Sequence, residues 1–377
     1  MINNKDKYRN SKKNIYLSPD SILQYHQLCG ILAYTSLVQL ALDEQIFFRF
    51  IKLLKGFPLM KKITIALAIY KPNPGWLAQQ LTSLNEQTYP NIELFIMDDC
   101  PEEPVSMKLL TNHLTNIPFH YHQNEQNLGS TKTFEKLTKL ADGDYIAYCD
   151  QDDIWEKDKL TILVNELEKT SALLVFSDVT IIDSNDAMIA DSMKKLRKQH
   201  HFYSGSDLAN KLLVKNFVTG CTMLIRSDIA KAAIPFPDEM IHDHYLALCC
   251  AISGNIHFVN LPLVRYRQHN HNQTGILNKV FDKATYLNEH ILPFDHTLAM
   301  LQQRFQTNTK LVDYLVFLRV WLKHRTIWWQ KYDQESLQYL WRNRHLNLPT
   351  TYFELILARL PKPCFDLALY MIKKSWI

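Results

Sequence analysis

The sequence predicts an α/β fold in which a central sheet is covered by helices on both faces, with helical additions at each end of the chain. Three observations predict it. From Lys62 onward, short apolar runs alternate with amphipathic segments. In the segments between the runs, apolar positions recur every three or four residues, the helical period. The fourth run leads directly into a cluster of carboxylates, as a strand does when its carboxyl end opens on a ligand site.

The elements follow in order. ITIALAIY (63–70) reads as the first strand and Trp76 to Gln87 as a helix after it. IELFIMD (92–98) and FHYH (119–122) read as the next two strands, and Thr131 to Leu140 as a second clear helix. YIAYCD (145–150) is the fourth strand, Lys157 to Lys169 a helix, and ALLVFSDV (172–179) a fifth strand. Strands separated by helices imply parallel crossovers, with ligands beyond the strands' carboxyl ends.

Both flanks differ from this pattern. Residues 1–60 contain a helical pattern at Glu44 to Lys55, and residues 276–377 are rich in aromatic and basic residues, as in LVDYLVFLRVWLKHRTIWW. The expected organisation is a helical extension (1–60), an α/β domain (61–275) and a helical C-terminal region (276–377). YFELILARL and FDLALYMIKKSW combine apolar faces with Lys and Arg. That pattern suits helices lying on a membrane surface, or helices packed on the core or on another subunit.

Composition narrows the classes. The formal charge of +4 arises from 42 basic and 38 acidic residues, too even a balance for a nucleic-acid partner, though compatible with an anionic membrane surface. Seven cysteines, with no pair spaced C-x-x-C, suggest neither a disulfide framework nor a zinc knuckle and fit a reducing cytoplasm. The polar, basic start MINNKDKYRNSKKN is a poor signal peptide. Ser21 to Leu42 lacks charge but contains Gln24, His26, Gln27 and Gln39, too polar for a membrane span.

The stretch YIAYCDQDDIW carries the most chemistry. Asp150, Asp152 and Asp153 crowd negative charge into four residues, and positions i and i+2 of an extended segment point the same way. Asp150 and Asp152 can therefore converge on one cation, and oxygen ligands suit Mg2+ or Mn2+ with open positions for phosphates. Asp98 and Asp99 close the second strand, where a carboxylate either accepts hydrogen bonds from a nucleobase or ribose or caps the next helix. Neither a G-x-G-x-x-G nor a G-x-x-x-x-G-K-[ST] loop is present, so phosphate binding falls to the metal.

Further along, Gly220-Cys221-Thr222 sits between two apolar runs, where a small residue lets backbone approach a ligand. A plain strand bend is the competing reading. Arg265, Arg267 and His269 alternate along VRYRQH and can present positive charge to a diphosphate or lie as solvated edge-strand charges. Asp243 opens the apolar segment LALCCAI, flanked by His242 and His244, which either orient it or line the cleft.

The order ITIALAIYKP, SLNEQTYPNIELFIMDDC, NLGSTKTFEKL, GDYIAYCDQDDIW, NFVTGCTMLIR, HDHYLAL and VRYRQHNHNQTG resembles family 2 of the nucleotide-sugar glycosyltransferases, over residues 62–275. The resemblance implies a Rossmann-like GT-A fold and a nucleotide-diphosphate sugar donor. It places Ala68 and Tyr70 against the nucleotide and Asp99 on its base. Asp150 and Asp152 match the family's D-x-D, Asp152 as a metal ligand and Asp150 near the ribose or metal waters. Asp243 matches the general base, His269 a further metal or diphosphate contact, and His242 lies with Gly220 and Cys221 on the acceptor side. The CDQDDIW and YRQH forms resemble bacterial rhamnosyltransferases of O-antigen and polysaccharide assembly. A Q-x-x-R-W motif is absent, so transfer of one sugar to a saccharide or lipid-linked acceptor is implied rather than long-chain synthesis. A nucleotidyltransferase, a D-x-D phosphohydrolase and a non-catalytic binding module are the alternatives from other classes.

Overall fold

The computed structural model describes residues 60–196, 201–269, 277 and 279–374. The expected helix at Glu44 to Lys55 and the stretch Ser21 to Leu42 lie outside the described residues. The chain divides into Met1–Met60 and Lys61–Ile377, and the described residues other than Met60 all belong to the second unit.

Nine strands form one sheet: β1 (Ile63–Ile69), β2 (Ile92–Asp98), β3 (Phe119–Gln123), β4 (Tyr145–Cys149), β5 (Ile154–Trp155), β6 (Leu174–Ile182), β7 (Met188–Ala190), β8 (Met223–Arg226) and β9 (Ile256–Arg267). Their order is β3-β2-β1-β4-β8-β6-β9-β5, with β7 beside β6. Helices α1 (Pro74–Asn85), α2 (Met107–His113), α3 (Ser130–Leu140) and α4 (Lys159–Thr170) alternate with the early strands. After them come α5 (Met193–Leu196), α6 (Ala209–Val214), α7 (Ser227–Ala232) and α8 (His242–Ser253).

The first half follows the expected pattern, since β3, β2, β1 and β4 pair parallel throughout. The second half is mixed rather than wholly parallel. Helix α4 carries the chain from β4 to β6 but leaves one position open between them, and β8 fills it antiparallel to both. Strand β9 then pairs parallel with β6, and β5 pairs antiparallel with β9.

Alternation along β1 explains the two layers. Ile63, Ile65 and Leu67 pack with Leu77 and Leu81 of α1 and Leu160 and Leu163 of α4. Ala66 points to the other face, with Phe134 and Leu137 of α3 and Leu246 of α8. Each buried leucine contributes about 1.5 to 3 kcal/mol by leaving water.

The C-terminal region is helical: α9 (Lys283–Tyr286), α10 (Pro293–Arg304), α11 (Thr309–Lys331), α12 (Gln334–Arg342), α13 (Leu348–Leu357) and α14 (Lys362–Lys374). Leu298, Leu315, Trp321, Trp328 and Phe365 from these helices join the same apolar cluster as Phe134 and Tyr148. A buried ion pair locks α11 to α13. Arg325 Nε donates to Glu354 at 2.8 Å, Tyr286 Oη donates to the same carboxylate at 2.9 Å, and Trp328 Nε1 donates to the Glu354 carbonyl at 3.1 Å.

Candidate active site

The site lies beyond the carboxyl ends of β1 and β4, where the acidic loop Asp150–Asp153 leaves the sheet. Gln151 fixes that loop to the end of β1 by two hydrogen bonds. Its Nε2 donates to the Tyr70 carbonyl at 3.0 Å, and its Oε1 accepts from Tyr70 N at 2.8 Å. Tyr70 itself is exposed at the mouth, and Ala68 is half-buried near the end of β1. The side chains of the loop then diverge. Asp152 faces His269, with Nε2 and Oδ2 2.8 Å apart, and Trp76 of α1 lies against the His269 ring at 4.7 Å. Asp150, Asp153 and Cys221 form a second group whose ligand atoms all lie within 4.8 Å of one another.

Electrostatics mark this cluster as unusual. Burial pushes the Asp150 carboxyl well above the ordinary carboxylate range, and Asp153, Asp152 and Asp243 add to the effect. Burial and then Asp152 raise Asp153 to about 7. Asp153 Oδ1 accepts from Arg267 N at 3.0 Å, but its Oδ2 is buried without a hydrogen-bond partner. Crowded carboxylates with an orphaned oxygen are what a divalent cation relieves, so the donor set fits Mg2+ or Mn2+. The fit rests on the Asp oxygens. The Cys221 thiol is buried and its pKa is raised, and sulfur suits neither ion.

Lys159, at the start of α4, stands behind this group. Its fully buried ammonium donates to the Cys221 carbonyl at 2.6 Å and sits 2.9 Å from the Trp155 ring centroid. Burial lowers its pKa to about 7, against the attraction of Cys221, Cys149, Asp153 and Asp150. In the sequence it reads as a solvated lysine of an amphipathic helix, and Trp155, four positions before it, is the one signal to the contrary.

Asp243 is nearly buried in the first turn of α8, where the helix dipole favours a carboxylate. Gly220 N donates to its Oδ2 at 3.0 Å, Asn216 Nδ2 donates to its Oδ1 at 3.2 Å, and His244 N donates to the same oxygen. Burial nevertheless raises its pKa to about 6. Asn216 is a site residue that the sequence does not announce. Beside it, His242 is packed on Phe134, ring centroids 4.0 Å apart, with Nε2 unpaired, and burial lowers its pKa to about 3, keeping it neutral. A Cβ on Gly220 would stand 2.9 Å from that Nε2, so the turn carrying the Asp243 contact requires glycine. His244 turns away and pairs with the Leu212 carbonyl at 2.6 Å.

Other expected contacts sit deeper than the sequence suggests. Asp98 is buried, and its oxygens accept from Cys100 N, Val105 N and Tyr121 Oη at 3.0, 2.7 and 3.0 Å, closing its own loop. Asp99 is also buried and accepts from Asn124 Nδ2, Leu128 N and Gly129 N at 2.7, 2.8 and 2.9 Å, holding the turn before α3. Gly220 and Cys221 are both buried, Cys221 with its carbonyl taken by Lys159.

Arg267, expected to offer charge to a diphosphate, is instead fully buried. Its guanidinium donates to the Asp152 carbonyl at 2.7 Å, to Gln79 at 2.7 Å and to the Asp183 carbonyl at 3.2 Å, and it pairs with Asp186. The physical reason is what covers each position. Arg265, two residues earlier on the same face of β9, is half exposed and pairs with Glu156 at 2.9 Å, whereas Arg267 at the end of the strand is covered by Gln79 of α1 and by the Asp183–Asp186 turn. Arg267 pins the backbone of the acidic loop.

Comparison with known proteins agrees with this architecture. The family described as Glycosyl transferase family 2 matches residues 64–232. The chain is 24% identical over 193 residues to the UDP-Glc:alpha-D-GlcNAc-diphosphoundecaprenol beta-1,3-glucosyltransferase WfgD of Escherichia coli, covering 51% of this chain and 71% of that one. It is 26% identical over 222 residues to the dTDP-rhamnosyl transferase RfbG of Shigella flexneri, covering 53% and 71%. Among solved structures, S. aureus TarS 1-349 in complex with UDP-GlcNAc superposes with a TM-score of 0.50 at 13% identity, over 84% of this chain and 91% of that one, a likeness of fold. The chain spans 46% of the untruncated TarS structure. With a GT-A sheet, an acidic loop at the end of β4 and a family match from β1 through α7, residues 64–232 of this chain form a Glycosyl transferase family 2 domain.

Proposed function

We propose that the chain transfers a single sugar, with inversion, from a nucleotide-diphosphate donor to a saccharide or lipid-linked acceptor in the assembly of a cell-surface polysaccharide. One observation carries this reading. Cys221, whose sulfur lies within 4.8 Å of the Asp150 and Asp153 ligand atoms, directly follows Gly220, whose N–H donates to Asp243 at 3.0 Å, so a cation site and a candidate base are neighbours. Transfer at an anomeric carbon needs both: charge to hold the departing diphosphate and a base to take the acceptor's proton. A Mg2+ or Mn2+ held by Asp150 and Asp153, whose ligand atoms lie within 4.8 Å of one another, with Asp152 and His269 beside them, would supply the first.

Asp243 would supply the second. Its pKa near 6 leaves it ionised at neutral pH yet basic enough to accept a proton. Gly220, Asn216 and His244 hold its oxygens in place. Catalysis is placed within residues 61–275, on the cytoplasmic side, where a nucleotide sugar is available to the enzyme. For the donor, the CDQDDIW and YRQH forms and the RfbG likeness support dTDP-rhamnose. The WfgD likeness supports UDP-glucose as the second reading, and the lipid diphosphate in that relative's name supports a lipid-linked acceptor. The experiment is a panel of nucleotide sugars assayed for nucleoside diphosphate release with acceptor lipid, with and without chelator. Turnover of one donor that chelator stops is expected, and no consumption of any donor would reject the reading.

A further inference from the structure

The last two helices turn apolar side chains toward solvent. On α14, Phe365 and Leu369 are buried, with Phe365 edge-on to Trp329 at 6.2 Å. The opposite side, where a surface helix ordinarily carries charge, holds Leu367 and Met371, exposed by 63% and 58% and four residues apart. Helix α13 repeats the arrangement. Thr351, Glu354 and Leu357 are buried, and Leu348, Tyr352 and Ile356, again at intervals of four, are exposed, Ile356 by 59%. Trp341 extends that stripe, its ring 6.0 Å from Tyr352. Phe281, 73% exposed, lies under the Lys373 ammonium, 5.4 Å from its ring centroid.

The charge around these side chains is one-sided. From residue 341 onward the sequence has Arg342, Arg344, Arg359, Lys362, Lys373 and Lys374 against Glu354 and Asp366. Glu354 is neutralised inside the protein by Arg325, which leaves Asp366 on α14 and Asp282, beside Phe281 and near Lys362, as acidic side chains at this surface. Arg359 and Lys362 stand exposed at the joint between α13 and α14.

We infer that this face of α13 and α14 docks the protein on an anionic lipid bilayer. Aliphatic side chains enter the acyl boundary, Trp341 and Tyr352 suit the headgroup level, and Arg359 and Lys362 meet the lipid phosphates. The charge favours a bilayer over a second copy of the chain, because a symmetric contact would set these cations against one another. No helix among the described residues is long and apolar enough to cross a membrane, so the contact is peripheral. Docking of this kind is independent of the transfer chemistry, and a vesicle measurement reads neither donor nor acceptor.

The test is cosedimentation of the full chain with vesicles of phosphatidylcholine alone or with roughly one-third phosphatidylglycerol. The chain is expected to sediment with the anionic vesicles, to release at high salt, and to leave neutral vesicles largely unbound. Ile356→Glu with Leu367→Glu should lower the partition coefficient at least about tenfold while preserving the circular dichroism melt. Should that pair disturb folding, Arg359→Glu with Lys362→Glu, both at exposed positions, should remove the salt-dependent part of the binding. An unaltered chain that ignores anionic vesicles would overturn the inference, as would folded variants that bind like the parent. So would a parent that is a dimer without vesicle affinity and becomes a monomer in the first pair, which would assign the face to self-association.

Discussion

Replacing Asp243 by Asn removes one negative charge and one acceptor oxygen from a position where three donors converge. Two effects result, and they have opposite signs. A carboxyl raised from 3.8 to about 6 binds its proton more tightly in the folded protein than in the unfolded chain. Its contribution to stability is therefore present below the unfolded value and is lost as pH rises through 6. At pH 7 the ionised, buried group opposes folding by on the order of 2 to 3 kcal/mol. Asn relieves that cost and loses one hydrogen bond, worth about 1 kcal/mol, so the variant should fold at least as well as the parent at pH 7.

Catalysis should behave differently. Loss of a general base lowers turnover by about 10²- to 10⁴-fold, while nucleoside diphosphate affinity measured by calorimetry should stay within about twofold, since no donor contact passes through this carboxylate. In the parent, kcat/KM should fall about tenfold from pH 7 to pH 5 as Asp243 takes up its proton, and that acid limb should vanish in the variant. The assay is acceptor-dependent release of nucleoside diphosphate across that pH range. A variant that turns over within a few-fold of the parent, or whose whole defect is lost donor affinity, would refute Asp243 as the base.

Three further outcomes are expected. Asp152→Asn should lower transfer by about 10²-fold or more, and chelator should abolish activity of the parent until Mn2+ or Mg2+ is returned, read in the same release assay. Gly220→Ala places a Cβ against His242, whose ring is held by Phe134, and should destabilise by about 1 to 3 kcal/mol in urea unfolding and slow turnover by moving the Gly220 N–H off Asp243. Glu354→Ala strands the Arg325 guanidinium in the interior and should destabilise by about 3 to 5 kcal/mol, whereas paired replacement of both by apolar residues should recover much of that loss.

The parallel half of the sheet is legible in the sequence because β1, β2 and β4 are nearly continuous apolar runs bounded by helical periods. The other half is not. MLIR is four residues long, and its place between β4 and β6 depends on pairings across more than forty positions that no local period reports. The acidic loop is visible as composition, but which carboxylate faces which partner depends on where β9 ends. That register sends Asp152 to His269 and the Asp153 carboxylate to Arg267 N. Arg267 and Lys159 escape a sequence reading for one reason. Long cations read as solvent-facing in a sequence, and their burial here is compensated by groups distant along the chain, Asp186 and Gln79 for one and the Cys221 carbonyl for the other. Asp243 is found through resemblance, whereas Asn216 carries no local pattern.

Sugar transfer from a nucleotide diphosphate, with the help of a divalent cation and Asp243, is tested most directly by following the sugar itself. Radiolabelled dTDP-rhamnose, UDP-glucose and UDP-GlcNAc would each be offered with an acceptor lipid extract to parent and Asp243→Asn enzyme side by side. Label should pass from one donor in the parent with Mn2+ or Mg2+, and none should pass after chelation. The variant should lose about 10²-fold or more of that transfer although it still binds the nucleoside diphosphate. Equal transfer by both enzymes, or transfer that chelator leaves untouched, would contradict the proposed chemistry.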